Sequence, residues 1–355
     1  MTKKVLVAMS GGVDSTVCAH IIKKLGYTTE GLTLRLWSET EEIPNSDKTA
    51  PDQNCIDAAN AARQLEIKHK SVALGESFRK CVVEKFINDY INGKTPNPCV
   101  ECNKHIKLGE LIEIAKGNGF DALATGHYAK IEQLASGEFV LKKAADLSKD
   151  QSYFLWSVKK EYLPFILMPL GVYTKQEVRS IAEENSLECA HRSDSQDICF
   201  IPDNDYVSFI KKHSKTEFLP GDFLSSDGIV LGKHNGIINY TIGQRKGLGI
   251  ALGYPAFVGK KSVCDNSVTL CSDYELYTDE LYADSLNFLY GDIPSSPFRC
   301  QAKIRYRHVP ADATAELLDD NRLRIKFDVP QRAITPGQSV VLYSGDIVIC
   351  GGIIE

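Results

Sequence analysis

The chain has 355 residues and a formal net charge of −5; 43% of its residues are hydrophobic and 25% are charged. This composition is ordinary for a folded protein of two or three domains, and the negative charge argues against general coating of nucleic acid, although a local basic patch stays possible. Apolar runs of about 18 residues and a signal peptide are both absent, so we expect a cytoplasmic protein without membrane association. Eleven cysteines point to catalytic or metal-binding thiols more than to a disulfide framework.

The first predicted elements enclose a glycine turn. Residues 4–9 form an apolar run typical of a buried parallel strand, and residues 16–26 have helical spacing. The turn between them reads Ser10-Gly11-Gly12-Val13-Asp14-Ser15. Glycines let backbone approach a phosphate, and the first N–H groups of the helix point at it. The Walker and G-x-G-x-x-G strings are absent. Asp14 should hold a bridging metal ion or orient the loop; the alternative is a tight turn that simply requires glycines.

Strands and helices continue to alternate along the first half of the chain. We predict strands at 31–37, 68–74 and 121–128, helices at 55–65 and 76–91, and a polar loop at 38–53. This alternation favours an α/β fold with a doubly wound parallel sheet, in which ligands bind at the carboxyl ends of the strands. Leu34 and Gly126 would lie there beside the glycine turn, although Leu34 is equally compatible with a core position.

Two cysteines at C-x-x-C spacing, Cys99 and Cys102, follow the string Thr95-Pro96-Asn97-Pro98. Helical spacing over 103–116 places Cys102 at a helix N-terminus, with Lys104, His105 and Lys107 nearby. Both features should lower the pKa of Cys102 and favour its thiolate. The pair could instead be a redox pair, one catalytic thiol with a bystander, or half of a zinc site. A zinc site would be completed by His105, Cys189, His191 or Cys199.

The next segments carry weaker signals. Residues 129–143 read as a hairpin, and Lys149-Asp150-Gln151 precedes a predicted helix as either a cap or an RNA contact. Thr174 and Glu177 form a capping box for a helix through residue 185, and residues 203–213 form another short helix. Cys199, taken alone, reads as a buried structural thiol.

The chain is predicted to be all-β from about residue 276, with short strands consistent with a small barrel. Strict alternation along a strand at 300–308 places Lys303, Arg305 and Arg307 on one face and Tyr306 on the other. This pattern suits phosphate contact and base stacking, or it is a solvated strand face.

The ordered motifs resemble a known family. The glycine turn resembles the pyrophosphate-binding loop of the ATP pyrophosphatases. Six further strings follow it in order: T-P-N-P…C-N-K, A-T-G-H-Y at 124–128, K-D-Q-S-Y at 149–153, the D-S…I-C-F-I string ending at 201, R-Y-R at 305–307 and T-P-G-Q at 335–338. Together with the glycine turn, they make the chain similar from end to end to the bacterial tRNA-specific 2-thiouridylases.

The resemblance implies an ATP pyrophosphatase domain at 1–200, a central tRNA-contacting domain at 201–276 and a C-terminal β-barrel at 277–355. It implies a sulfurtransferase in which ATP, with Mg²⁺, adenylates O2 of the wobble uridine of tRNA. A Cys199 persulfide supplies sulfur, Cys102 acts as nucleophile, and a transient Cys102–Cys199 disulfide results. A mobile segment near 188–202 would bring the two cysteines together. The implied partners are tRNAs such as those for Lys, Glu and Gln and a persulfide donor protein, and we expect a monomer with no protein-bound metal.

Site residues follow from the same resemblance. The implied ATP contacts are Ala8, Met9, Ser10, Gly11, Gly12, Val13, Asp14, Ser15, Leu34 and Gly126. The implied target-base contacts are Asn97, Pro98 and Cys99, and the implied tRNA contacts are Lys149, Asp150, Gln151, Arg305 and Tyr306.

One position departs from the family pattern. Family members often carry Asp, proposed as an acid–base group, at the position of Cys99, so that role is in doubt here, and a Cys99–Cys102 disulfide could form as an inactivating side product. The rival interpretations are an amide- or guanidino-forming ligase with the same loop, such as argininosuccinate or GMP synthetase, and a non-catalytic RNA-binding or zinc-stabilised protein.

Overall fold

The structure, a computed structural model, describes residues 2–37, 53–190, 192, 198–201, 203–292 and 297–355. Two compact units divide the chain. The first unit comprises 1–82, 99–200 and 346–348, and the second comprises 83–98, 201–345 and 349–355. The predicted loop at 38–53, apart from Gln53, lies outside the described residues.

The secondary structure of the described ranges alternates first and becomes all-β later. The α-helices are α1 (Val13–Lys24), α2 (Gln53–Gln64), α3 (Gly75–Phe78), α4 (Glu84–Ile91), α5 (Pro98–Cys102), α6 (Leu111–Gly117), α7 (Lys175–Glu184) and α8 (Tyr206–His213). The strands are β1 (Lys4–Ala8), β2 (Thr28–Arg35), β3 (Lys68–Ala73), β4 (Ala122–Ala124), β5 (Lys130–Gln133), β6 (Phe139–Lys142), β7 (Ile166–Leu167), β8 (Gly221–Leu224), β9 (Val230–His234), β10 (Phe257–Ser262), β11 (Ser267–Cys271), β12 (Tyr277–Phe288), β13 (Phe298–Lys303), β14 (Ala311–Leu317), β15 (Leu323–Arg332), β16 (Ser339–Ser344) and β17 (Ile347–Ile354). Two π-helical segments, Arg79–Val83 and Asn103–Glu110, join neighbouring helices.

The first unit is built on a parallel sheet in the order β3-β2-β1-β4-β7. Leu6 of the central strand faces Glu30 on one side and Leu123 on the other. Val5 and Val7 are fully buried, as expected for a strand covered on both faces. The predicted α/β class with a parallel sheet is confirmed, and the carboxyl ends of β1, β2 and β4 lie at one edge.

Helices α1, α2 and α7 supply the apolar side chains that cover β1. Val17 and Ile22 of α1, Ala58 of α2 and Val178 of α7 belong to one buried cluster with Val7. Burial of each larger side chain contributes about 1.5–3 kcal/mol, so this packing holds the helices to the sheet.

The start of α7 is fixed by its predicted capping box. The Glu177 backbone N–H donates to Thr174 Oγ1 at 3.2 Å, and the Thr174 backbone N–H donates to a Glu177 carboxylate oxygen at 2.7 Å. This prediction is confirmed, and α7 runs to Glu184.

The second unit contains a small sheet and a barrel. The small sheet has the order β10-β11-β8-β9. The order β12-β15-β14-β13-β16-β17 is closed by pairing of β12 with β17, as in Ala283 opposite Ile354. Its interior is filled by buried apolar residues such as Ile325 and Leu342. The predicted C-terminal barrel is therefore confirmed. Within the described ranges no helix is both long and apolar enough to cross a membrane.

Candidate active site

The glycine loop (residues 10–15) is held by short-range hydrogen bonds at the carboxyl end of β1. The Ser10 backbone N–H donates to Ser15 Oγ at 3.1 Å, and Ser15 Oγ donates to the Gly12 carbonyl at 3.1 Å. Thr16 Oγ1 donates to the same carbonyl at 2.9 Å. Because α1 begins at Val13, the loop ends at a helix start whose N–H groups are available to an anion.

Two glycines in this region have no room for a side chain. Gly11 has φ of +76°, and a Cβ there would lie 2.8 Å from the Ala58 nitrogen of α2. A Cβ on Gly126 would lie 2.9 Å from the Asp14 carbonyl carbon. Gly126 therefore packs directly against the glycine loop, so the residues predicted from β1 and β4 come together. Leu34, near the end of β2, is half-buried at the same sheet edge.

Asp14 is the charged residue of the glycine loop, and its carboxylate already has partners. Lys175 Nζ donates to both Asp14 oxygens, at 2.7 and 2.9 Å, and Tyr128 Oη donates to one of them at 2.8 Å. The Lys175 side chain is only 12% exposed, so this ion pair is partly shielded from solvent. Of the two predicted roles for Asp14, the contacts favour orientation of the loop.

The same contacts bear on Mg²⁺. An ammonium group and a hydroxyl donor occupy the Asp14 carboxylate, whereas Mg²⁺ prefers several free oxygen ligands. Across the described ranges, no cluster of three or more His, Cys, Asp or Glu side chains could hold a metal ion. These residues do not fit a protein-held Mg²⁺. His191, one of the residues predicted to complete a zinc site, lies outside the described residues.

A second ion pair supports the loop from α2. Arg192 Nη1 contacts the Asp57 carboxylate and also donates to the Gly11 carbonyl at 3.3 Å. The hydrogen bond from Arg192 is the main cause that lowers the pKa of Asp57. Arg192 thereby links α2 to the backbone of the glycine loop.

The thiol cluster (Cys99, Cys102 and Cys199) lies in the same unit. Cys99 and Cys102 are one helical turn apart on α5, and Cys102 is buried. Cys199 precedes Phe200, whose buried ring packs edge-on against Phe78 at a centroid distance of 5.7 Å. All eleven cysteines are free thiols; the Cys199 charge raises the pKa of Cys99 and of Cys102, and the Cys99 charge also raises that of Cys102. The structure therefore brings the two predicted catalytic cysteines into one electrostatic neighbourhood.

Hydrogen bonds with the segment 154–157 fix the helix that carries Cys102. Asn103 Nδ2 donates to the Phe154 carbonyl at 3.1 Å, and Ser157 Oγ donates to the Val100 carbonyl at 3.3 Å. The buried position of Cys102 is thus built from segments about fifty residues apart in sequence.

The predicted lowering of the Cys102 pKa is wrong. Burial raises the pKa of Cys102 to about 12, and the opposing effect of the Lys107 ammonium is smaller. The helix also begins at Pro98, which favours the first helical position, so Cys102 is its fifth residue and not its start. Burial likewise raises the pKa of Cys99 and of Cys199. Because both of these side chains keep exposed surface, they are reachable by solvent yet surrounded by protein.

His127 stands between the two centres. It follows Gly126, and its Nδ1 lies 2.9 Å from Thr125 Oγ1. Burial, followed by the charge of Lys107, lowers the pKa of His127 to about 3. His127 is therefore neutral at physiological pH.

The predicted tRNA contacts at 149–151 have structural partners. Asp150 is 4% exposed, and its carboxylate accepts from the Ala144 N–H at 3.0 Å and from Ser152 Oγ at 2.8 Å. Gln151 Oε1 accepts from the Tyr128 N–H at 3.0 Å. The predicted helix here is only a 3₁₀ turn, Ser152–Phe154. Contact of tRNA with Lys149, Asp150 and Gln151 stays a prediction, as it does for Asn97 and Pro98.

The predicted basic strand ends early. β13 stops at Lys303 because the chain must reverse to pair with β14, where Ala302 faces Ala311. Arg305 and Tyr306 therefore lie in the turn, and the predicted single face of Lys303, Arg305 and Arg307 is wrong. The Arg305 guanidinium donates to the carbonyls of Ile242, at 3.3 Å, and Ala333. The tRNA contacts of Arg305 and Tyr306 also stay predictions.

Sequence reasoning missed three charged residues that the structure brings to the glycine loop, namely Asp57, Lys175 and Arg192. The only local signal was for Lys175, which occupies the first position of the capped helix α7. That signal indicated a helix start but not a contact with Asp14, 161 residues away.

Comparison with known proteins decides the family. The family model described as the tRNA methyl transferase HUP domain matches residues 3–203, the PRC-barrel domain model matches 207–272, and the aminomethyltransferase beta-barrel domain model matches 278–354. The chain is 45% identical over 356 residues to the tRNA-specific 2-thiouridylase MnmA of Clostridioides difficile (strain 630), covering 100% of this chain and 99% of that protein.

The chain belongs to the tRNA-specific 2-thiouridylase family. A second relative, MnmA of Clostridium kluyveri, is 44% identical with 100% of both chains covered. A solved structure of a 4-thiouridine synthetase–RNA complex with bound ATP has a TM-score of 0.34 and 19% identity, covering 59% of this chain and 50% of that one. Family membership confirms the resemblance found in the sequence and the expected class of enzyme, a tRNA sulfurtransferase. The predicted boundaries after 200 and 276 stay predictions.

Proposed function

We propose that this chain catalyses ATP-dependent 2-thiolation of the wobble uridine, U34, of tRNA. One observation carries the proposal: two consecutive residues join the glycine loop to the thiol cluster. Gly126 packs against the Asp14 backbone, and the pKa of His127 responds to the Lys107 charge that also acts on Cys102. This link supports a site in which the proposed oxygen-activating loop and the proposed sulfur-supplying thiols act together in one unit.

The glycine loop would bind the phosphates of ATP. Residues 8–15, Leu34 and Gly126 are the proposed contacts, with Leu34 flanking the adenine. Attack of uracil O2 on the α-phosphorus forms an O2-adenylate and releases pyrophosphate. Backbone N–H groups at the start of α1 stabilise the phosphate charge in a fixed geometry, with no reorganisation during the reaction.

The thiol cluster would supply sulfur by thiol–persulfide exchange. A donor protein first loads Cys199 as a persulfide. The Cys102 thiolate attacks Cys199 Sγ; the new bond is the Cys102–Cys199 disulfide, and the persulfide S–S bond breaks to release hydrosulfide. The hydrosulfide attacks C2 of the adenylated uracil, and AMP leaves with the former O2. The two thiols are thereby oxidised, the sulfane sulfur is reduced, and an external thiol must restore Cys102 and Cys199.

The remaining site residues belong to substrate recognition. Asn97, Pro98 and Cys99 are the proposed target-base contacts, and Lys149, Asp150, Gln151, Arg305 and Tyr306 are the proposed tRNA contacts. The substrates would be tRNAs such as those for Lys, Glu and Gln. Cys99 occupies the place of the acid–base group of other family members, and burial raises its pKa, which makes it a weaker proton donor than a carboxylic acid, so that role stays in doubt.

The test is mass analysis of tRNA after incubation with the protein, ATP, magnesium and a persulfide donor. The expected result is a nucleoside in which sulfur replaces oxygen at position 34, with one pyrophosphate released for each sulfur inserted. The matched control is the same tRNA with cytidine at position 34, which should gain no sulfur. If the uridine substrate gains no sulfur, and pyrophosphate is released only when a different acceptor is adenylated, the ligase alternative is favoured.

A further inference from the structure

Lys107 is a cation whose charge acts on the thiol cluster, and the proposed mechanism gives it no role. Its side chain is half-buried, and in the described part of the chain no carboxylate pairs with it. By contrast, Lys116 on the following helix pairs with Glu113 at 3.7 Å, and Lys85 pairs with Asp89 at 3.2 Å. A half-buried ammonium without a carboxylate is costly, so the groups around Lys107 must supply its compensation.

The backbone explains how Lys107 reaches the thiols. It lies in the π-helical segment Asn103–Glu110, a type of helix in which backbone hydrogen bonds join residues five apart. Cys102 immediately precedes the segment and lies five residues before Lys107. The segment is kinked at Leu108, and a Cβ on the next residue, Gly109, would lie 2.5 Å from the carbonyl oxygen of Lys104. Such π segments are frequent at functional sites because they redirect one side chain within a helix.

We propose that Lys107 is a positioning residue for sulfur transfer, whose ammonium stabilises the Cys102 thiolate when it forms and keeps the departing sulfur anion next to it. The proposal rests on the proposed function for its purpose, but the effect on the thiols is a property of the protein alone. The charged groups that act on the Cys102 thiol are Lys107, Cys199 and Cys99, and the Lys107 charge also acts on His127.

The electrostatics agree with this role. Burial is the largest influence on Cys102 and disfavours its thiolate, and Lys107 is the group that opposes it. Conversely, burial lowers the pKa of Lys107, but the three thiols together raise it above its ordinary value. Because His127 is neutral, it does not stabilise an anion by its charge. The Lys107 ammonium does, so it can stabilise a developing thiolate or hydrosulfide.

The alternative role for Lys107 is contact with a phosphate of ATP. In that case a neutral variant would weaken ATP binding and pyrophosphate release but would leave the titration of the thiols unchanged. In the proposed role, the neutral variant changes the titration of the thiols whether or not ATP is present. The two roles therefore differ in a measurement that needs no substrate.

The experiment compares Lys107→Met with Lys104→Met in the full chain. Lys104 is exposed in the same π-helical segment and is the matched control. The rate at which methyl methanethiosulfonate modifies Cys102 and Cys199 is followed by peptide mass spectrometry between about pH 6.5 and 10.5. Loss of the ammonium should slow Cys102 modification at pH 8 about tenfold, the equivalent of one pKa unit, and move the profile to higher pH. Lys104→Met should match the wild type, and Lys107→Arg should stay close to it.

An unchanged Cys102 profile in Lys107→Met would overturn the proposal, and so would an equal shift in Lys104→Met. Circular dichroism and the melting temperature establish that each variant is folded. Lys107→Gln gives the same comparison should the methionine variant fail to fold. If the wild type fails to thiolate tRNA, the proposed function fails while the Lys107 titration still stands or falls by itself.

Discussion

The glycine loop and the thiol cluster lie in one unit but differ in how far they are prepared for reaction. The loop is fixed by hydrogen bonds of 2.9 to 3.1 Å within residues 10–16, and its carboxylate is already paired with Lys175. In the cluster, burial keeps the Cys102 thiol protonated. The proposed phosphate site is thus already held in one conformation, whereas the proposed sulfur chemistry requires deprotonation of Cys102 before it starts.

The two centres should be separable by mutation, and this is the largest effect we expect. Cys102→Ser removes the nucleophile and should reduce thiolation of tRNA at least about 10³-fold while pyrophosphate release with tRNA continues. The measurement pairs mass analysis of tRNA with a pyrophosphate assay. Cys264→Ser, at an exposed cysteine of the second unit, is the control and should keep both activities. Normal thiolation by Cys102→Ser would remove Cys102 from the mechanism.

Variants of Asp14 and Lys175 should have the opposite effect: they should impair the glycine loop and leave the thiol cluster intact. Asp14→Ala removes the carboxylate that pairs with the Lys175 ammonium, and Lys175→Met removes the ammonium that neutralises this carboxylate beside the proposed phosphate site. Each should lower pyrophosphate release about 10²-fold, as loss of one preorganised electrostatic contact does. Binding of tRNA and loading of Cys199 with persulfide should persist. Lys68→Met, at an exposed lysine of the same sheet, is the control; release at the wild-type rate in Asp14→Ala would refute the role of the loop.

The difference between local and long-range contacts also explains which features could be predicted from the sequence. The strand, glycine turn and helix around residues 10–15 were predictable because each signal is local, as were the capping box at Thr174 and the C-terminal barrel. Lys175 and Arg192 were not, since each reaches the loop from more than 150 residues away. The predicted direction of the Cys102 pKa shift was wrong, because nearby basic residues are visible in the sequence, whereas the burial that outweighs them is a property of the fold.

The preorganisation of the loop can be tested at its two glycines. Gly11→Ala forces a side chain into a backbone with φ of +76° and against α2, and should lower the free energy of unfolding by about 3 kcal/mol. Gly12→Ala is the matched control, because its nearest neighbour, Ser10 Oγ, is 3.7 Å from the added Cβ and its φ is −80°. Thermal unfolding measures the difference. Equal melting temperatures for the two variants would show that the loop adapts.

A smaller effect, but one that separates the centres in the wild type, is expected from pH. The pKa of Cys102 is about 12, above the ordinary thiol value of about 8.5, so its thiolate fraction rises about tenfold per unit between pH 7 and 10. Single-turnover thiolation with persulfide-loaded enzyme should rise accordingly, while pyrophosphate release by Cys102→Ser should not. For stability the sign is opposite: protonated Cys102 contributes fully below about pH 8.5, and its contribution is lost as pH rises towards 12. A rate of thiolation that is flat across this range would show that the thiolate forms by another route.

The smallest effect concerns the helix that delivers Lys175 to the loop. Thr174→Ala removes the side-chain acceptor for the Glu177 N–H and should cost about 1 kcal/mol of stability. Because Lys175 is the next residue, fraying of the first turn of α7 should also weaken the ion pair with Asp14 and lower pyrophosphate release a few-fold, less than Lys175→Met does. Thr174→Ser keeps the hydroxyl and should restore both properties. If Thr174→Ala lowers the melting temperature but leaves pyrophosphate release unchanged, packing of α7 on α1 alone positions Lys175, and the capping box contributes only to stability.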